Sequence, residues 1–235
     1  MFCVNCGTPL PDDANFCLKC GCDLRNLGQS PGTCNLATHD IREGEYITFG
    51  RYPQNNKSVK EPIEWLVLEN DGKEALLISR YGLDRYCWSN YECSWPGSTL
   101  RAWLNKDFLK KAFSNDELGM IRFSELRNDD GPEESCKGSI SRDRVFCLSI
   151  SETKQFFRNV NEIQCLPTVY ATRKGVMEGV NGCCKWWLRS PGFVSDEGEP
   201  YAYKRPKAGG GGPHDPYLYE ISSCVRPALR IILKS

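Results

Sequence analysis

Histidine is scarce in this sequence, with only His39 and His214 among 235 residues. A catalytic triad built on histidine, or a catalytic zinc site with several histidine ligands, has too few residues to draw on. No apolar run approaches the roughly 18 residues that span a bilayer. The N-terminus also lacks the basic and apolar segments of a secretory signal. We therefore expect a non-enzymatic, cytoplasmic protein with no membrane-spanning segment.

Net charge is also absent, because 30 basic residues balance 30 acidic ones. No global field attracts such a chain to nucleic acid or to anionic lipid. Fourteen cysteines would suit a secreted protein held by disulfides, but the missing signal and the length of the chain argue against that class. We expect reduced cysteines, four of them bound to metal and most others buried as small hydrophobic residues.

The clearest motif is C-x2-C-x10-C-x2-C, formed by Cys3, Cys6, Cys17 and Cys20. Two cysteine pairs at this spacing can place four thiolates around one ion in a tetrahedron. A segment this short cannot bury a core, so the metal would supply its folding energy. The motif is similar to the short zinc ribbons of many bacterial proteins, and it predicts one structural Zn²⁺ in residues 1–25.

The predicted ribbon lacks the clustered basic residues that phosphate binding requires, so we expect no nucleic acid partner. Residues 26–40 are polar, contain Gly, Pro and Ser, and show no periodicity, which predicts a flexible linker. The remaining residues, 41–235, have the apolar periodicity of one large domain. The sequence leaves the oligomeric state open.

Within the large domain, apolar patterns predict strands at 45–54, 62–71, 73–82, 145–150 and 224–233, helices at 97–113, 114–121 and 151–160, and a helical turn within 167–176. Asp71-Gly72 predicts a hairpin turn, and Ser114 with Glu117 predicts a capping box. Residues 124–144 are predicted to form an exposed acidic loop. Strands at both ends with helices between them predict an α+β domain, with a mostly antiparallel sheet and flanking helices.

The string CCKWWLRSPG, residues 183–192, predicts a core strand that ends at Pro191-Gly192. Alternation would place Trp187 and Arg189 on one face of this strand, and Trp186 and Leu188 on the other. An arginine buried here requires a carboxylate partner, and the same holds for Arg226.

The adjacent cysteines of this string would point to opposite faces, leaving one buried and one exposed. Lys185 and Arg189 would lower the pKa of an exposed thiol, so a reactive cysteine is one alternative. A second metal site is another alternative, although its residues have no ligand-spacing signature. Its ligands would come from Cys183, Cys184, His214 and Cys224.

Six strings, taken in order, resemble an uncharacterised bacterial domain family that often follows a zinc ribbon. They are ITFGRYPQ, PIEWLVLE, ALLISRYGLD, STLRAWLNKDFLKKAFS, WWLRSPG and VRPALRI. The resemblance spans about residues 41–235, and the family has no assigned enzymatic activity to carry over to this chain.

The pattern W-L-R-S, a variable loop and V-R-P-A-L is also similar to the C-type-lectin fold. The similarity is to the branch shared by formylglycine-generating-enzyme-like proteins and the variable proteins of diversity-generating retroelements. It implies a C-type-lectin-like scaffold that displays a ligand-binding surface from loops. Cys224 departs from the glycine that this pattern usually has before V-R-P-A-L.

Residues 192–223 form the strongest candidate for a binding surface. They mix tyrosine with glycine, serine and charged residues, a composition that adaptable recognition loops use, although an ordinary solvated loop is the alternative. The predicted ligand-binding residues are Asp196, Glu197, Tyr201, Tyr203, Lys204, Arg205, His214, Tyr217 and Tyr219. The expected partner is a protein or a small polar ligand. If the chain is a variable protein of a diversity-generating retroelement, this surface is the part whose sequence is diversified.

Two other functions stay open. An enzyme of the formylglycine-generating type, or another thiol-dependent enzyme, requires an accessible, low-pKa cysteine among Cys183, Cys184 and Cys224. A structural adaptor would instead act through the zinc ribbon.

Overall fold

The computed structural model describes residues 41–88, 94–128, 139–179, 182–190 and 223–233. The chain divides into two compact units, Met1–Asn35 and Leu36–Ser235, and all described residues belong to the second unit. The predicted linker lies outside the described residues. So do the predicted zinc ligands Cys3, Cys6, Cys17 and Cys20.

One antiparallel sheet of five strands organises the described domain, in the order β1-β2-β3-β9-β7. Its strands are β1 (Tyr46–Pro53), β2 (Lys60–Asn70), β3 (Glu74–Ser79), β7 (Val145–Phe146) and β9 (Ala228–Ile232). The predicted hairpin joins β2 and β3, and the Asp71 carboxylate accepts hydrogen bonds from the Lys73 and Glu74 amides in its turn. Strand β9 lies between β3 and β7. The predicted mixed α/β class with a mostly antiparallel sheet is thereby confirmed.

The inward face of β2 shows why this sheet forms. Ile63, Trp65 and Val67 alternate along the strand and are all buried, as the period of two requires. The Trp65 indole N–H donates to the Phe49 carbonyl oxygen at 2.7 Å, so its polar atom is also satisfied in the core. Strand β1 has a bulge at Gly50, which has a φ of +69° and lies against the Phe113 ring.

The predicted helix at 97–113 is present as a continuous helical stretch. It consists of α1 (Thr99–Trp103), a π-helical turn (Leu104–Phe108) and α2 (Leu109–Ala112), with a short 3₁₀ helix (Trp95–Gly97) before it. The Ser98 hydroxyl accepts from the Arg101 amide and caps the stretch. The next helix, α3 (Asn115–Met120), begins with the predicted capping box of Ser114 and Glu117.

The prediction of an exposed acidic loop over 124–144 is wrong at both of its ends. β5 (Ser124–Arg127) and β6 (Ile140–Asp143) pair as an antiparallel two-stranded sheet, and residues 129–138 lie outside the described part. The inward side chains of this sheet are largely polar, which hides the alternation from an apolar pattern. Asp143 is buried and accepts from the Trp95 indole at 2.9 Å and from the Arg101 guanidinium at 2.6 Å.

The rest of the domain is built from short elements. They are β4 (Asp84–Arg85), α4 (Ile150–Phe156), α5 (Val160–Ile163), α6 (Val169–Arg173) and β8 (Cys224–Val225), which pairs with β4. Two predicted strands are shorter than expected. Only Val145–Phe146 of 145–150 is paired, and 224–233 divides into β8 and β9 around Pro227, which has no amide hydrogen to donate. Within the described ranges, no helix is long and apolar enough to cross a membrane.

Candidate functional site

Residues 183–190, which precede the predicted binding surface, are buried except for the exposed Lys185, and they do not form the regular strand that was predicted. The segment makes only isolated bridges, between Glu178 and Cys184 and between Trp186 and Cys224. Its backbone hydrogen bonds go to several different segments, including those of Cys165, Cys224 and Leu148. A chain threaded between partners in this way cannot form a continuous ladder with one neighbour, which explains why the prediction was wrong.

The two flanks of residues 191–222 meet in the core. Ser190 and Ser223 are both buried. The Cys224 amide donates to the Lys185 carbonyl oxygen at 2.8 Å, and the Cys224 carbonyl accepts from the Trp187 amide at 3.1 Å. We call residues 183–190 together with 223–225 the stem. The stem therefore buries the residues that lie immediately before and after 191–222.

Aromatic packing and buried donors fix the stem. Trp186 and Trp187 are each 0% exposed. The Trp187 indole donates to the Tyr86 carbonyl oxygen at 2.9 Å, and the Trp186 indole donates to the Ile163 carbonyl oxygen at 3.2 Å. Each large ring therefore has a partner for its one polar atom, so burial carries no desolvation penalty from an unpaired N–H.

Three cysteines converge on the stem, and we call Cys165, Cys184 and Cys224 the cysteine cluster. Their sulfur atoms all lie within 4.8 Å of one another, and the Cys184 and Cys224 sulfurs are 3.0 Å apart. All three side chains are buried, with at most 1% exposed. The backbone supports this approach, because the Cys184 amide donates to the Cys165 carbonyl oxygen at 2.8 Å.

Gly82 supplies the space that the cysteine cluster occupies. A Cβ atom at Gly82 would lie 2.8 Å from Cys224 Cβ and 3.3 Å from Cys184 Sγ, and it would overlap Cys224 Sγ more closely still. The Gly82 backbone bonds the connection after Cys165 at two points, donating to the Leu166 carbonyl oxygen and accepting from the Thr168 amide. Glycine is therefore required here because of close packing.

Arg226 is the charged residue associated with the cysteine cluster. It is 3% exposed, donates to the Ser79 and Ile163 carbonyl oxygens, and lies over the Trp186 ring at 5.0 Å. Among the described residues, carbonyl oxygens and an aromatic face contact this arginine in place of the carboxylate partner that was predicted. Its charge contributes to lowering the pKa of the Cys165 and Cys184 thiols, although other influences outweigh it at Cys184.

The three thiols differ in how their surroundings shift the pKa. Burial raises the pKa of Cys165, but hydrogen bonds from Cys184 and Cys224, together with the Arg226 charge, lower it by more. The hydrogen bond to Cys165 raises the pKa of Cys184, and burial adds to this effect. Burial and the hydrogen bonds to Cys165 and Cys184 raise the pKa of Cys224. The three sulfurs therefore affect one another unequally: the pKa of Cys165 is lowered, and those of Cys184 and Cys224 are raised.

The prediction of one buried and one exposed cysteine at 183–184 is wrong. Both are buried, because both faces of the segment are covered, and burial raises the pKa of the Cys183 thiol. The predicted second metal set is partly assembled. Cys184 and Cys224 meet, Cys183 is not in the cluster, and His214 lies outside the described residues. Sequence analysis missed Cys165, which lies 19 residues from Cys184 in no ligand-spacing motif.

The predicted carboxylate partner of Arg189 is confirmed. The Arg189 guanidinium donates to both carboxylate oxygens of Glu152, with the Nη2–Oε1 bond at 2.7 Å, and also to the Cys147 carbonyl oxygen at 3.1 Å. Glu152 is the third residue of α4 and completes the capping box that Ser149 opens. One glutamate thus caps a helix and neutralises the buried charge of the stem.

The predicted ligand-binding residues all lie outside the described part of the chain, so their positions remain predictions. They are Asp196, Glu197, Tyr201, Tyr203, Lys204, Arg205, His214, Tyr217 and Tyr219.

Together, the sequence motif and the fold define a protein with a cysteine-rich N-terminal segment and a mixed α/β domain built on an antiparallel sheet. The profile of a zinc-ribbon domain matches residues 2–24. A family described as "Domain of unknown function (DUF6273)" matches residues 72–233, which is more than half of the chain, and the protein belongs to that family. A comparison with curated proteins and one with solved structures return no match.

Proposed function

We propose that this protein is a non-enzymatic binding protein whose recognition surface is carried by residues 192–222, since Ser223 at the end of the predicted stretch is buried in the stem. The observation that supports this most directly is the stem. Both flanks of residues 191–222 are buried and are hydrogen-bonded to each other through Cys224, Lys185 and Trp187. A scaffold that fixes both ends of a polar, tyrosine-rich segment can present it without committing its sequence to the core.

The scaffold itself is proposed to be C-type-lectin-like. Its support is the resemblance of W-L-R-S and V-R-P-A-L to that fold, together with an antiparallel sheet in which the C-terminal strand β9 lies between β3 and β7. The partner of such a surface is a protein or a small polar ligand. If the surface is genetically diversified, a reverse transcriptase gene and a template repeat should lie near this gene, and their absence would exclude diversification.

The proposed surface can be tested by changing it while the stem stays intact. In one variant, residues 192–222 are replaced by a Gly/Ser segment of equal length. In a second, Tyr201, Tyr203, Tyr217 and Tyr219 become serine. Full-length protein and both variants are applied to arrays of peptides and glycans. We expect both variants to melt within a few degrees of the full-length protein but to lose the array signals, and signals retained by both variants would refute the proposal.

The ribbon is proposed to hold one structural Zn²⁺ through Cys3, Cys6, Cys17 and Cys20, consistent with the zinc-ribbon match. Cys3→Ser with Cys6→Ser should remove the zinc held by this motif, which elemental analysis would detect. The same variant tests the adaptor alternative on the arrays. If array signals disappear with the ribbon and survive the loop replacement, the protein acts through its ribbon.

The thiol-enzyme alternative has less support from the described residues. Cys183, Cys184 and Cys224 are buried, and the pKa of each thiol is raised. A nucleophilic cysteine needs the opposite combination, namely exposure and a lowered pKa.

A further inference from the structure

We propose that Cys165, Cys184 and Cys224 form a second metal site, which binds one thiophilic d¹⁰ cation, Zn²⁺ or Cu⁺, in the core of the large domain. This site is separate from the N-terminal cysteine motif and does not depend on the proposed recognition surface. It rests on the arrangement of three sulfur atoms and their surroundings among the described residues.

The spacing of the sulfur atoms fits one central ion. Three thiolates bound at about 2.3 Å from a single cation stand about 4 Å from one another. In the cysteine cluster, all three sulfurs lie within 4.8 Å of one another, with the Cys184–Cys224 pair at 3.0 Å. To reach metal-bound spacing, the distance between the Cys184 and Cys224 sulfurs must increase by about 1 Å. Rotation about the two side-chain χ1 angles can supply this change.

The ligand set selects the class of cation. The side-chain ligand atoms that meet in the cysteine cluster are three sulfurs, and thiolates favour Cu⁺ and Zn²⁺ over Mg²⁺, Ca²⁺ or Mn²⁺, which prefer oxygen. Burial adds a charge argument, because three thiolates in the core require compensation. A bound cation and the nearby Arg226 guanidinium together supply two or three positive charges.

Metal binding would exchange protons for the cation without any oxidation or reduction. The protons held by the three thiols leave to solvent as three S–metal bonds form, and neither the sulfur nor the metal changes oxidation state. A Cys184–Cys224 disulfide is the competing outcome, but its formation removes two electrons and needs an oxidant. Metal binding needs only the cation and a proton acceptor.

The site would join three chain segments that are distant in sequence. Cys165 precedes Pro167 and α6, Cys184 belongs to the first half of the stem, and Cys224 begins β8. A cation here therefore links both flanks of residues 191–222 to the connection between α5 and α6. Metal loading would stiffen the base from which the proposed recognition surface extends.

The decisive measurement is the stoichiometry of the full-length chain. Reduced, metal-free protein is titrated anaerobically with Zn²⁺ in one arm and with Cu⁺ in the other, in competition with a chromophoric chelator for each metal. We expect about two tight equivalents of at least one cation, one at the N-terminal cysteine motif and one at the cysteine cluster. The arm that gives the tighter second equivalent identifies the cation.

Variants then assign the second equivalent. Cys165→Ala with Cys224→Ala should lower the count by one, whereas Cys183→Ala, a neighbouring buried cysteine outside the cluster, should leave it unchanged. In the full-length chain carrying Cys3→Ser and Cys6→Ser, the remaining ion should show three sulfur neighbours at about 2.3 Å by X-ray absorption.

Several results would overturn the second site. A single equivalent with both cations would do so even if the cluster variants fail to fold, because the wild-type count decides. A second equivalent that persists without Cys165 and Cys224 would place the metal elsewhere. A Cys184–Cys224 disulfide that resists reduction in the folded protein, seen as a mass lower by about 2 Da, would favour the competing outcome.

Discussion

Replacing Glu152 by glutamine should destabilise the large domain strongly, although only one carboxylate oxygen is exchanged for an NH₂ group. Arg189 is 4% exposed and donates to both carboxylate oxygens of Glu152. Glutamine keeps the size of the side chain and can still complete the capping box with Ser149, so the helix start is preserved. The substitution therefore removes one negative charge and one of the two acceptors that face the buried guanidinium, and it leaves the helix start in place.

The magnitude follows from how deeply each partner is buried. Breaking a fully buried ion pair by removing one partner costs about 3–5 kcal/mol. The Glu152 side chain is 23% exposed and lines a cavity of about 240 Å³, so solvent can screen part of the charge on this side. We therefore expect a loss of about 2–3 kcal/mol in the free energy of unfolding. For a folded unit of this size, that lowers Tm by about 5–10 °C.

The assay is urea denaturation at neutral pH, with thermal melting as a second probe. Glu162→Gln is the matched control, because Glu162 also accepts backbone and side-chain hydrogen bonds near a helix start but is exposed. We expect the control to stay within about 0.5 kcal/mol of wild type. If Glu152→Gln stays equally close, the Arg189 charge is balanced by something other than Glu152.

A double-mutant cycle sharpens this experiment. Arg189→Met removes the charge that Glu152 neutralises and keeps an apolar side chain in the stem. If the two residues interact as described, the double variant should be more stable than the sum of the single losses predicts, by at least about 1 kcal/mol. Additive losses would contradict a direct ion pair.

Three further predictions concern packing, capping and thiol reactivity. Gly82→Ala should lower the free energy of unfolding by about 1–3 kcal/mol, because the new methyl group would overlap Cys224. Gly119→Ala, at an open helical position, is the control and should be neutral or stabilising in the same urea titration. Ser114→Ala should cost about 1 kcal/mol by removing the α3 capping box, and recovery by Ser114→Asp would confirm the cause. In the reduced, metal-free protein, Cys183 and Cys184 should react with iodoacetamide more slowly than a model thiol at neutral pH. The reason is that both thiols are buried and the pKa of each is raised. Peptide mapping that finds either cysteine alkylated as fast as the model thiol would contradict this prediction.

The parts of the fold that local sequence could predict are those stabilised by neighbouring residues. The turn after β2 forms because the Asp71 carboxylate binds the two amides that follow it, and α3 forms at a capping box only four residues long. The long helical stretch has its apolar residues on one face. Each of these signals is complete within a short window of sequence.

The hairpin of β5 and β6 could not be predicted, because its inward side chains are polar and are satisfied from a distance. Asp143 is a charged residue within a strand, and sequence patterns assign such a residue to the surface. Its partners are the Trp95 indole and the Arg101 guanidinium, which precede it by 48 and 42 residues. Burial of a carboxylate becomes favourable only when these donors are in place, and no local pattern contains them.

The cysteine cluster illustrates the same limit for a site. Cys165, Cys184 and Cys224 are separated by unequal intervals, and no pair has the two-residue gap that identifies the N-terminal motif. They meet because residues 183–190 bond to the Cys165 backbone on one side and to the Cys224 backbone on the other. Adjacency in sequence was misleading, since Cys183 lies next to Cys184 and yet is not part of the cluster.

The proposed function requires the stem to stabilise the domain independently of the segment between its two parts. The stem contacts other described parts of the domain, namely Glu152 of α4, the Tyr86 backbone and the Cys165 backbone. If these contacts suffice, residues 191–222 can change their sequence without weakening the core, which a display scaffold requires. A Gly/Ser replacement that unfolds the domain would show that the stem depends on the segment between its flanks. The scaffold and its surface would then be one cooperative unit, and substitutions among the tyrosines would alter stability together with binding.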